Sequence, residues 1–268
     1  MAYPSHPELG FRERQPTWGL GDMISHGAFA QYRPFFKTGY NSAISDPEEA
    51  IWTAGGAHNW IEAAGQVRVV SNNAEDTMTT GTGAWKVMVY YLNAAFEEKS
   101  VELELSNTTP VASGAGAADI FRINSFRVTA AGSNGVAAGV INVYHASAAT
   151  IYSQIAAGET RARNLQYTVP KGKEIYIQSM HVGSGGTTVD KGFLRFQLQA
   201  KWNDSTYAAS TTFQTLSEIS VSTQSTQIMF DIPIRIPEGI DIEMTADGNS
   251  TTAGAYATTS LRGYIESE

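Results

Sequence analysis

Carboxylates spaced two apart recur in this sequence: Glu102 with Glu104, and Asp241 with Glu243, beside the adjacent Glu97-Glu98. Paired carboxyl groups are the machinery of glycoside hydrolysis, one as acid and the other as base or nucleophile. On a strand, residues i and i+2 share a face. The commoner use of such a pair is a charged, solvated edge that discourages strand addition, and that use is expected here. A second grouping, Asn72, Asn73, Glu75 and Asp76, brings four oxygen-bearing side chains into one loop. Calcium takes such ligands, while Asx turns use the same side chains to bond their own backbone; the turns are expected. Gly81-Thr82-Gly83 lacks the lysine and helix of a phosphate loop and reads as a hairpin turn. The histidines, His6, His26, His58, His145 and His181, show no metal-ligand spacing, and there is no cysteine. Thiol nucleophiles, disulfides, thiolate zinc sites and iron–sulfur clusters are thereby excluded. No metal, cofactor or catalytic residue is expected.

The elements that would position these groups are strands. The chain has 268 residues, 42% hydrophobic but only 16% charged, with 25 glycines and 49 serines plus threonines. That composition suits short strands and tight turns, and not a helical bundle. The net charge of −8 argues against a nucleic-acid partner. No apolar run is long enough to span a membrane as a helix, and Met1–Pro7 has no basic or apolar leader segment. Val67–Ser71, Lys86–Leu92, Val101–Leu105, Ile120–Thr129 and Val140–Tyr144 are strand runs separated by glycines. Further on, Leu194, Phe196, Leu198, Ala200 and Trp202 share one face of a strand, and Ile228, Phe230, Ile232, Ile234 and Ile236 repeat the device. Pro233 falls on the opposite parity, which places that strand at an edge or bulge. Val169-Pro170-Lys171-Gly172 and Ile236-Pro237-Glu238-Gly239 read as matching turns between strands. Leu261–Ile265 reads as a final strand. Only Asp46–Trp52 has helix signals: a capping Asp46, Pro47 at the first position and Glu48-Glu49 in the first turn.

The expected fold is all-β, an antiparallel, jelly-roll-like sandwich in two blocks behind an extended N-terminal arm: arm with its short helix 1–60, first block 61–148, second block 149–268. Five of the nine prolines lie in the first 50 residues, with Trp18, Phe29, Tyr32, Phe35, Phe36 and Tyr40. A solvated tail is poor in aromatics, so this arm needs a surface, either its own core or a partner. Those six side chains are the candidate partner-binding residues. Gly183–Gly186 and Asp247-Gly248-Asn249 read as loop tips, where a displayed β-protein binds or varies. Tyr207, Tyr256 and Trp85 are candidates for stacking on a sugar.

Residues 52–186 resemble a family of poorly characterised tailed-phage virion proteins common in aquatic phages. The features that carry the resemblance are Val69-Val70-Ser71, Asp76-Thr77, Gly81-Thr82-Gly83-Ala84, Tyr91-Leu92-Asn93, Thr108-Thr109-Pro110-Val111, Arg122-Ile123, Ala131-Gly132-Ser133 and the Tyr167–Lys173 turn. Ser106-Asn107 departs from the Asn-Gly expected before the threonine pair. The resemblance implies a non-enzymatic structural protein of the virion, assembled in the host cytoplasm, with other virion proteins of the shell, neck or tail as partners. It also contributes to the expectation of a homotrimer. The leading expectation is a capsid decoration or cement protein held by its arm. A tail, neck or receptor-binding protein that binds host glycan is the alternative, and a free carbohydrate-binding module the third.

Overall fold

The computed structural model describes residues 23–24, 26–44, 47–145, 149–186, 193–203, 212–222, 225–248 and 255–267. Along them run β1 (Tyr32–Ile44), β2 (Glu49–Ala50), β3 (Val67–Ser71), β4 (Ala84–Leu92), β5 (Glu98–Glu104), β6 (Val111–Ala112), a 3-10 turn (Ala115–Ala117), β7 (Arg122–Ala131), β8 (Ile141–His145), β9 (Ile151–Ile155), β10 (Tyr167–Thr168), β11 (Lys173–Gly186), β12 (Leu194–Trp202), β13 (Gln214–Val221), β14 (Ser225–Ile236), β15 (Ile240–Gly248) and β16 (Ala255–Ser267). The fold is all-β, and the strand pairings are antiparallel.

These strands make two sandwiches. One joins the sheet β1–β16–β11–β14 to the sheet β10–β15–β12–β13, with β2 sharing the β10 edge of β15. Between them lies a core that includes Phe35, Ile175, Ile177, Met180, Phe196, Leu198, Ile242, Met244 and Leu261. The other joins β6–β3–β8–β9 to β5–β4–β7 around Val67, Val69, Val87, Val89, Leu103, Phe126, Ile141, Val143 and Ile155. Alternation produces both cores: odd residues of β3 and β4 point inward as predicted, and Leu194, Phe196, Leu198 and Ala200 of β12 are buried with Trp202 packed beside them.

The second sandwich is inserted in the first. The chain lays down β1 and β2, leaves through residues 51–61, builds β3 to β9, and returns through residues 162–166 to β10. The two connecting segments run side by side: the Leu165 amide donates to the Ile51 carbonyl (3.3 Å), and the Arg163 amide to Thr53 Oγ1 (3.1 Å). We call the halves the carrier and the inserted sandwich.

Several expectations change. Tyr32–Ile44 is not an arm outside the blocks; it pairs along its length with β16 and buries Phe35 in the carrier core. The start of the expected helix, Asp46, lies outside the described residues. Glu49 and Ala50 form a strand on β15, and the Ile51 amide donates to the Met244 carbonyl (2.8 Å). Tertiary pairing thus overrides the local capping signal. The boundary expected at residue 148 falls between β8 and β9, which pair with each other; Ile155 lies in the inserted core and Ala162 packs against it. Gly81–Gly83 joins strands of two different sheets rather than a hairpin pair. Gly183–Gly186 is no loop tip, since it closes β11 against β16.

Both Pro-x-Gly turns are present, but each passes the chain from one carrier sheet to the other, β10 to β11 and β14 to β15. Gly172 and Gly239 take φ of 68° and 73°, the left-handed region open to glycine. The turns lie against each other: the Val169 amide donates to the Ile240 carbonyl (3.0 Å), and the Gly239 amide to the Val169 carbonyl (2.8 Å). Pro233 sits where expected, on an edge strand at a bulge, where the register jumps from Ile177↔Ile234 to Ser179↔Met229. The bulge turns Ile232 out of the apolar row, and it is 84% exposed.

Candidate interaction face and the junction behind it

Strand β1 does have a period of two. Phe35 enters the core against Tyr167 (ring centroids 5.2 Å apart) and Lys37 points the same way, while Tyr32, Phe36 and Tyr40 stand on the opposite face. Register with β16 then sets their neighbours. Tyr32 meets Tyr264 edge-on at 5.3 Å, and Phe29 caps Tyr32 at 5.9 Å. The Arg262 guanidinium lies over Phe36 at 5.4 Å, and Tyr40 tilts against Tyr256 at 6.1 Å. On β11, Tyr176 stacks on Tyr264 with centroids 4.8 Å apart. The result is an aromatic stripe across the outer face of the sheet β1–β16–β11–β14.

Its charges are paired within it. Glu174 accepts from Arg235 and from the Tyr176 hydroxyl (2.9 Å), which holds its carboxyl below the usual range. Burial first, then Glu174, pushes the Tyr176 phenol up to about 12. A hydrogen bond to Glu266 raises the Tyr32 phenol. The apolar groups are less covered: Phe36 is 50% exposed, Met229 64%, Ile232 84% and Tyr256 39%. Of the predicted partner-binding residues, Phe29, Tyr32, Phe36 and Tyr40 therefore share one face, Phe35 belongs to the core, and Trp18 lies outside the described residues. Sequence reasoning missed Tyr176, Tyr264, Arg262 and Met229. The signal for the tyrosines was parity, since Tyr176 alternates with Ile175 and Ile177, and Tyr264 with Ile265.

Behind β1 the two sandwiches meet in a buried polar junction. Arg122 of β7 donates from Nε and Nη2 to Asp241 of β15 (2.9 and 3.0 Å) and from Nη1 to the Ile61 and Phe121 carbonyls. Thr168 adds its hydroxyl to Asp241. Asn124 exchanges two bonds with the Thr168 backbone, at 2.8 Å each, and its own carbonyl accepts from Lys37 Nζ at 2.7 Å. Desolvation lowers the Lys37 ammonium to about 7, with Arg161 adding repulsion. His58, edge-on to Trp52 and Trp60, donates from Nε2 to the Tyr152 carbonyl (3.2 Å). Its Nδ1 is buried without a partner, and desolvation lowers the ring to about 4. Burial pushes the Glu243 carboxyl up to about 8, opposed by Trp60 and aided by Glu48 and Asp241.

This overturns the edge-protection reading of Asp241 and Glu243, which are 0% and 8% exposed on a strand flanked on both sides. The insertion covers them. Glu102 and Glu104 do lie on an edge strand, β5, where both approach Lys86. The oxygen-rich loop is built of turns. Asn73 Oδ1 accepts from the Glu75 amide (2.9 Å) and Asn72 Oδ1 from the Val140 amide (2.8 Å). Glu75 accepts from the amide and hydroxyl of Thr82, both at 3.1 Å. Asp76, fully buried, accepts from the Ser71 hydroxyl and the Ala84, Ala138 and Gly139 amides at 2.6–2.9 Å. Each candidate ligand is already occupied by a donor, and among the described residues no group of three or more acidic or histidine side chains could hold a metal ion. Trp85 donates to the Gly81 carbonyl (2.7 Å), and Tyr207 lies outside the described residues.

No protein-family model and no curated protein matches the chain. Among solved structures it is similar to the crystal structure of the infectious bursal disease virus VP2 subviral particle, at 9% identity and a TM-score of 0.20 over 88% of this chain and 77% of that one. It is also similar to a structure of the Gx strain of infectious bursal disease virus, at 8% identity and a TM-score of 0.22 over 88% and 71% of the two chains.

Proposed function

We propose that this chain is a non-enzymatic structural protein of a bacteriophage virion, a decoration or cement protein displayed on the capsid exterior. The observation that carries this reading is the aromatic face on one sheet of a scaffold whose buried ionisable groups are engaged in holding two sandwiches together. The resemblance of residues 52–186 to tailed-phage virion proteins supports it. Residues 1–31, ahead of the first carrier strand, supply the attachment; they include Phe11, Trp18 and Phe29. Each large apolar side chain buried on a shell contributes about 1.5–3 kcal/mol before ordering costs. Bridging capsomers with such contacts opposes the outward pressure of packaged DNA. The protein acts as a homotrimer, with shell proteins as partners.

The test is electron microscopy of particles labelled with specific antibody. Label over the whole head at high copy is the expected result. Few copies at a single vertex would assign the chain to the neck or tail, with host glycan as its ligand. A monomer that binds sugar and never joins a particle would make it a free carbohydrate-binding module.

A further inference from the structure

We infer that the outer face of β1–β16–β11–β14 is the surface on which a second copy of this chain packs. Of the five large hydrophobic side chains left exposed, Phe36, Phe193, Met229, Ile232 and Tyr256, all but Phe193 belong to this sheet. They lie towards both margins: Phe36 on β1 and Tyr256 beside it, Met229 and Ile232 on β14. Both marginal strands present an unpaired edge among the described residues. A surface with apolar groups at opposite margins is complementary to another copy of itself, either across a twofold axis or around a closed ring.

Size and charge agree. Four strands about 4.8 Å apart, run for thirteen residues at about 3.3 Å each, cover roughly 800 Å². One partner contributes about that area to a stable interface. The chain carries a net charge of −8, which would keep copies apart, but here Arg235 and Arg262 balance Glu174 and Glu266, with Asp231 at the margin. Sugar is a poorer occupant. Tyr176 and Tyr264 stack on each other and Arg262 lies over Phe36, so the rings do not form an open platform. A nucleic acid or an anionic membrane would meet the negative chain. The inference does not depend on where in a virion the protein sits.

The test is the mass of the purified full chain at micromolar concentration, by sedimentation or light scattering. Two or three chains per particle is expected. Phe36→Glu with Met229→Glu should raise the dissociation constant by about 100-fold or more, while Ser100→Glu on β5 leaves the mass unchanged. The absence of cysteine allows a second readout: Thr258→Cys, in the middle of the face, should react with a maleimide more slowly in assembled protein than in diluted protein. A wild-type monomer, a double variant that assembles normally, or equal labelling rates would overturn the inference. So would assembly lost only on deletion of residues 2–22, which would make that segment the contact. A chain monomeric alone whose double variant no longer joins particles would assign the face to a shell protein; the virion reading would stand and this one would fall.

Discussion

Arg122 and Asp241 hold the two halves of the molecule together from 119 positions apart in sequence. Removing one partner from a buried ion pair leaves the other uncompensated, at about 3–5 kcal/mol. Asp241→Asn should lower stability by that amount in urea unfolding, and Arg122→Met with Asp241→Leu should recover most of the loss. The junction also sets the response to pH. Folded Glu243 keeps its proton to about 8 against an ordinary 4.5, so stability falls as pH rises through that window. His58 titrates at about 4 against 6.5, and Lys37 at about 7 against 10.5. For these two the unfolded chain binds more protons, and stability rises from pH 4 to 6.5 and from 7 to 10.5. The opposed slopes cancel between 4.5 and 6.5 and again between 7 and 8. Glu243→Gln should therefore turn a flat profile into one that rises across both ranges, by at most about 1.4 kcal/mol per pH unit; a profile as flat as the wild type's would refute this compensation. Asp76 predicts differently. Its carboxylate is filled by protein donors, so a chelator should leave the melting temperature unchanged, while Asp76→Ala strands three amides and costs about 3 kcal/mol or more. The shared face of Asp241 and Glu243 was legible from their spacing. Their burial was not, because the cover comes from Arg122 and Trp60, far away in the chain.

Strand β1 shows where periodicity hides. Both its faces carry aromatics and its inward face carries Lys37 and Gly39, so no polar–apolar alternation reaches the eye. Its partner β16 lies at the far end of the chain, which removes any hairpin signal. Strand β14 was more transparent: Pro233 marked the edge and the bulge because a missing amide is tolerated only there. What the bulge did to Ile232 was hidden, since the number of skipped residues is set by pairing with β11. Deletions separate the two parts of the N-terminal region. Loss of residues 2–22 should keep the far-ultraviolet β spectrum and a cooperative melt but abolish particle binding. Loss of residues 2–45 removes β1, exposes Leu261 and Ala257, and should destroy the cooperative melt; a deletion to 45 that melts like the full chain would show that β1 is dispensable to the core.

At the scale of the whole molecule, composition and alternation made the all-β class and two apolar cores readable, yet not their nesting. A strand run carries no mark of which sheet it joins, and the Ala-rich stretch near residue 148 mimicked a linker where a hairpin lies. The inserted sandwich has its own core and enters and leaves through adjacent segments. Expressed alone as residues 61–162, it should unfold cooperatively with a β spectrum, since only Arg122 and its neighbours lose burial.

The place of β16, between β1 and β11 in the middle of its sheet, bears on how the protein is made. A ribosome releases the inserted sandwich whole while the last strand is still unsynthesised, so that half folds early on the nascent chain. The carrier must wait with β1 and β11 presenting open edges to each other and to neighbouring nascent chains on the same message. Until the final strand slides between them, the most aromatic sheet of the protein is also its least protected, and that interval is when a chaperone has most to shield.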